Sequence, residues 1–169
     1  TTDAGATGDA ALAAPATADT AMEEAVPEST TTTAATDTDI QAQLAELGVK
    51  FQVDSDGDYQ IVQPTGNSRT QMLWIRKPIF EYGSLRIREV MSLGYRSGGD
   101  SLSGDIANLL LEDSQARKLG TWTRVGGTAQ FVVKIPASAS TEELAGALEA
   151  TRSTADEMEQ KLTGAKDEF

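Results

Sequence analysis

The chain of 169 residues contains no histidine and no cysteine. Without histidine it lacks the usual general base at neutral pH and the commonest zinc ligand. Without cysteine it has no disulfide, no thiol chemistry and no thiolate metal site, and nothing marks its redox compartment. Positive charge is scarce: 14 Lys and Arg stand against 26 Asp and Glu, a net charge of −12. Nucleic acid and anionic membrane surfaces require a basic footprint, so neither is expected as the main partner. No apolar run reaches the roughly 18 residues needed to span a bilayer, and no span is expected. No cofactor is expected either. The length suits one ordinary domain plus a tail.

What is present divides near residue 38. Of the first 38 residues 23 are Ala or Thr, seven are acidic and none is basic. So little large apolar surface cannot offset the entropy of ordering a chain, which predicts a disordered, self-repelling tether over residues 1–38. Such a stretch before a compact domain leads us to expect an exported protein of the bacterial periplasm or cell envelope. Its leader or lipid anchor would have been removed; a cytoplasmic location is the alternative.

From residue 39 the pattern becomes regular. Thr38 is placed to cap a first helix, with Gln41 completing a capping box, and Ile40, Leu44 and Leu47 share one face before Gly48 stops it. Strands are predicted over Val49–Val53, Tyr59–Gln63, Thr70–Arg76 and Leu85–Leu93, with a loop holding Pro78 and Gly83 before the last. Ser103 caps a second helix that ends before Gly120, and strands Thr121–Val125 and Thr128–Ile135 follow, hinged at Gly126-Gly127. Ser140 and Glu143 open a helix of about 23 residues, and residues 165–169 are expected to fray. The short connections predict an α+β fold: an antiparallel meander of about six strands and three helices, the last one long and packed on the sheet. The seam of that helix is Leu144, Leu148, Thr151, Ala155, Met158 and Leu162. It is expected to be core, with dimerisation through residues 141–163 as the alternative. Trp74, Trp122, Phe51, Phe131, Ile135, Leu110 and Leu148 form the expected core.

The order α-ββββ-α-ββ-α, the run Ile106–Trp122 and the closing strand, proline and helix resemble YbjN-like domains. That helix carries Glu142-Glu143-Leu144 and Ala155-Asp156-Glu157-Met158-Glu159. The resemblance covers residues 39–163 and departs at Ser114, where Asn would accept a left-handed helix end more readily. It implies a fold similar to type III secretion chaperones, which bind extended protein segments and often dimerise. It brings no catalytic residues.

Three local features invite a functional reading. Gly99-Asp100-Ser101-Leu102 spells the nucleophile block of GDSL esterases, but the serine of a Ser-His-Asp site needs an imidazole that this chain lacks. Gly98-Gly99-Asp100 lacks the Glu-Phe of a diguanylate cyclase signature. Asp54, Asp56 and Asp58 begin like a calcium loop, yet position six is Tyr59 rather than Gly and position twelve is Thr65 rather than Glu. A hairpin turn is expected there, with a low-affinity calcium site as the alternative. Lastly, Arg86 and Arg88 alternate on one strand, with Arg76 nearby. In so acidic a chain they are candidates for an acidic partner segment or for the tether itself, the other reading being cross-strand pairs with Glu81 or Glu89. An antiparallel sheet commonly leaves one side wet, and Arg86 and Arg88 are expected on that side. Two functions therefore stand: a non-enzymatic module that binds a protein segment or peptide, and a hydrolase using Ser101.

Overall fold

A computed structural model describes residues 37–169, apart from Asn67 and Ala165. The expected tether therefore lies outside the described residues except for Asp37 and Thr38. Both lie against the domain: the Thr38 backbone N–H donates to the Ala137 carbonyl at 2.9 Å, and Asp37 is paired with Arg86.

The chain is an α+β fold. Its elements run α1 (Ile40–Glu46), β1 (Phe51–Val53), β2 (Tyr59–Gly66), β3 (Arg69–Ile75), β4 (Phe80–Tyr82) and β5 (Leu85–Arg96). They continue with α2 (Gly104–Ala116), β6 (Thr121–Val125), β7 (Thr128–Pro136) and α3 (Thr141–Thr163). All strand pairs are antiparallel, in the order β1-β2-β3-β5-β7-β6, with β4 also paired to β5.

Two features of the sheet were not expected. The loop holding Pro78 contains β4, which pairs with Leu85–Ile87 through a tight turn at Gly83, whose φ is +59°. Since β3 meets β5 at Val90–Ser92 and β4 meets it at Leu85–Ile87, β4 continues the line of β3 beyond the break at Pro78. The last hairpin also enters in reverse: β7, which carries Phe131, Val132, Val133 and Ile135, lies beside β5, and the more exposed β6 takes the edge. A strand buried on both faces belongs where neighbours on both sides complete its hydrogen bonds.

The three helices cover one face. Ile40 and Leu44 of α1, Leu110 of α2, and Leu144 and Leu148 of α3 share one core with Ile61, Leu73, Ile75, Val90, Phe131 and Val133. The α3 seam is thus spent on this chain's own sheet, Leu144, Thr151 and Ala155 having no exposure, so it is not free to pair two copies. The capping box is complete, with Glu143 N–H donating to Ser140 Oγ and Ser140 N–H donating to Glu143 Oε2. Gly94 is required by close approach: a Cβ there would lie 2.3 Å from the Trp122 ring.

Several local expectations are corrected. Asp39, not Thr38, caps α1, its carboxylate accepting the N–H groups of Gln41 and Ala42, while the Thr38 hydroxyl donates to Ala137. Ser114 is not at a left-handed helix end. It lies inside α2, donates to the Leu110 carbonyl and accepts the Trp122 backbone N–H at 2.9 Å, satisfying a donor on the outer edge of β6. An Asn amide at that end would not supply this hydroxyl. Trp74 is only half-buried, because it points away from the helices, and Phe51 is half-buried on the short edge strand. The residues expected to fray make contacts back to the domain: Arg69 donates to the Lys166 carbonyl at 2.6 Å, and the Arg96 guanidinium lies 5.2 Å from the Phe169 ring centre.

Candidate interaction surface

Residues directly opposite in an antiparallel sheet share a face, so register assigns each arginine. Arg86 and Arg88 alternate with Ile87 on β5 and fall in line with Val90 and Ser92, both fully buried beneath the helices. They are therefore on the covered face, not the open one. Arg76 follows Trp74 on the open face. The expected basic cluster is split between the two sides because β3 and β5 meet in a register that sets Trp74 opposite Met91 and leaves Arg76 near Glu89, whose carbonyl accepts its N–H.

Arg86 holds Asp37 through two hydrogen bonds, Nε to Oδ1 at 2.9 Å and Nη2 to Oδ2 at 2.6 Å, and pairs with Glu81 across the β4–β5 hairpin. This Arg86 hydrogen bonding holds the Asp37 carboxyl below the usual carboxylate range. The cross-strand pair with Glu81 and the contact with the end of the tether, both anticipated as alternatives, occur together. Glu89 pairs instead with Lys134 at 3.3 Å.

Arg76 forms an ion pair with Asp58 at 2.9 Å, and the other Asp58 oxygen accepts the Lys77 N–H at 2.7 Å. Asp54 Oδ1 accepts the N–H groups of Asp56 and Asp58, closing the turn. Asp54 and Asp58 thus spend carboxylate oxygens on the hairpin, and no group of three carboxylates that could hold a metal occurs among the described residues. Ser101 is exposed in the loop before α2, where its carbonyl accepts from Ser97 Oγ, and no base faces its hydroxyl among the described residues.

The open face carries what sequence reasoning missed. One row crosses it in register: Gln60, Trp74, Met91, Val132 and Thr121. Met91 and Val132 are buried on this side, with Arg76 Nη1 3.8 Å from Met91 Sδ. Below the row the β4–β5 hairpin presents Phe80, Tyr82 and Leu85, and above it stands Val62; all four are exposed, Tyr82 at 79%. The charged pair Glu89–Lys134 and Arg76 separate the two apolar groups. A two-residue alternation inside β4 and β5 is the signal that could have located the hairpin, but Pro78 and Gly83 mask it.

A shallow groove of about 760 Å³ runs beside β1, lined by Val49, Lys50, Phe51 and Val62 among others. Its walls are mostly apolar and bring no pair of titratable groups together, so they offer no acid–base chemistry. Among the described residues no helix is long and apolar enough to cross a membrane. Comparison with family models and with curated proteins finds no match for the chain.

Proposed function

We propose that the chain is a non-enzymatic protein-binding module, chaperone-like or regulatory, that takes a protein segment on the open face of its sheet. The observation that carries this reading is the exposed apolar hairpin of Phe80, Tyr82 and Leu85, on the same face as exposed Val62 and half-buried Trp74. Large apolar side chains grouped on an exposed hairpin mark an interaction surface more often than scattered ones do. Aromatic residues and methionine ringed by polar groups are the composition of an interface centre. The resemblance to YbjN-like domains and to the secretion-chaperone fold agrees with segment binding. The acidic Ala/Thr-rich stretch before residue 39 supports a place in the cell envelope.

The test is capture of partners from an envelope extract by the full chain and by a Val62→Asp, Tyr82→Asp variant. Both side chains are exposed, so the variant is expected to keep its thermal midpoint while losing the captured protein. Capture that survives in the folded variant overturns the assignment to this face. Turnover of a short-chain ester abolished by Ser101→Ala would establish the hydrolase reading instead.

A further inference from the structure

Arg88 is an anomaly on the covered face. Its neighbours along that face of β5 are Arg86 and Val90, and the residue opposite it on β7 is Ile135, so the position is one where an aliphatic side chain belongs. The residue is 7% exposed. Among the described residues its Nε has no hydrogen-bond partner, and its one hydrogen bond runs from Nη2 to the Thr38 carbonyl at a long 3.5 Å. No carboxylate pairs with it among the described residues, since Asp37 turns both its oxygens to Arg86. A buried cation without a partner is costly, and an apolar residue of similar volume is often the more stable choice. Burial accordingly lowers the Arg88 pKa from its ordinary value, with Asp37 opposing that shift.

The segment that covers this guanidinium is Asp37-Thr38, and it contributes a carboxylate. Arg86 and Arg88 are two residues apart on an extended strand, about 7 Å along it. An extended acidic segment with carboxylates two residues apart has the same repeat. Asp37 supplies the first carboxylate and leaves Arg88 without the second. We propose that Arg86 and Arg88 form a binding site for an extended segment of another protein bearing two such carboxylates, and that Asp37 is its occupant in cis. The charges agree: Asp37 and Glu81 offset the two arginines, and lifting Asp37 away leaves one positive charge in excess within a chain of −12. Arginine is suited to this task because its planar fork takes a carboxylate through two parallel hydrogen bonds, as Arg86 already does with Asp37.

This site lies on the face opposite Trp74, so its success or failure is independent of the open face. The test uses the full chain and a fluorescent, amidated hexapeptide of alternating Thr and Asp, with alternating Thr and Asn as control. Binding is read by anisotropy. Asp37→Asn removes the carboxylate that competes for Arg86 and loosens the covering segment, and it is expected to tighten binding of the acidic peptide by about fivefold or more, as weakening an internal competitor does. Adding Arg86→Gln is expected to abolish that gain. Both positions are at the surface, so thermal midpoints check that the variants fold. In the Asp37→Asn chain the Nε–H resonance of Arg88 is expected to move on titration with the acidic peptide and to stay still with the control. Binding no tighter than that of the unaltered chain, a gain that survives Arg86→Gln, or a stationary Arg88 resonance would each overturn the proposal.

Discussion

The two faces of the sheet are made of alternate residues on the same strands, yet they obey opposite rules. On the covered face polar groups are deeply buried and held in networks. Arg69, on β3, donates to Asp156 at 2.9 Å and to Glu159 at 3.0 Å, and Gln71 bridges to Ser92 at 2.8 Å. On the open face Val62, Phe80, Tyr82 and Leu85 are large apolar groups left exposed. A covered face tolerates charge only where partners are supplied, whereas an open face keeps large apolar groups at a cost in solubility. The comparison teaches where change is expensive. It also isolates Arg88 as the residue that fits neither rule.

The contrast is sharpest in side-chain truncation. Leu148→Ala removes a buried side chain from the α3–sheet contact and is expected to cost about 2–4 kcal/mol in chemical denaturation. A loss below about 0.5 kcal/mol would mean that α3 does not form the core.

A second measurement addresses buried hydrogen bonding where α2 meets β6. Asp113 accepts from Trp122 Nε1 at 2.7 Å and from Arg117. Burial pushes its carboxyl up, but the hydrogen bonds from Arg117 and Trp122 outweigh this and hold it below the usual range. Asp113→Ala leaves the indole N–H without its partner and is expected to cost about 1–3 kcal/mol near neutral pH. The folded state binds the Asp113 proton less readily than the unfolded state. Its contribution is therefore present above the unfolded pKa and is lost as pH falls through the folded one. The difference between the variant and the unaltered chain should shrink on acidification.

Glu159 should behave in the opposite sense. It has no exposure, and burial raises its carboxyl above the usual range despite the Glu168 N–H and Arg69. Here the folded state binds the proton more readily, so stability falls as pH rises from the unfolded pKa through the raised folded one. In Glu159→Gln that slope, followed by thermal midpoints from acid to neutral pH, is expected to disappear. A slope unchanged by the substitution would place its origin elsewhere.

The smallest effect is expected on the open face. Val62→Ser and Tyr82→Ser should each change stability by less than about 0.5 kcal/mol, because their side chains are mostly in solvent already. A larger loss would show that this face is covered in the folded chain.

Periodicity made most of the elements legible. The helix of Thr141–Thr163 was readable in its capping box, its seam and Gly164, and the hairpin of β6 and β7 in Gly126-Gly127. These are local signals, complete within a few residues. The β4 strand was not legible, since an alternation of only three residues, hemmed by Pro78 and Gly83, is too short to stand out and becomes a strand only by pairing with β5. The candidate site was less legible still. Alternation places Arg86 and Arg88 on one side of a strand, but nothing in the alternation says which side the helices will cover.

By itself, then, the sequence determined the absence of imidazole and thiol groups from these 169 residues, the α+β class, the N-caps of the two longer helices, the stop of the last one, and most of the residue set from which the core is drawn. Each depends on composition or on a period that neighbouring residues carry between them. Tertiary structure alone decided that β7 lies inside and β6 at the edge, that Trp74 faces solvent while Arg88 is buried, and that Asp37 reaches Arg86 across 49 positions of chain. Those outcomes depend on which strands meet and in what register, and a slip of one residue exchanges the two faces of a strand. Register is settled by the packing of the whole sheet against its helices, which no local pattern contains.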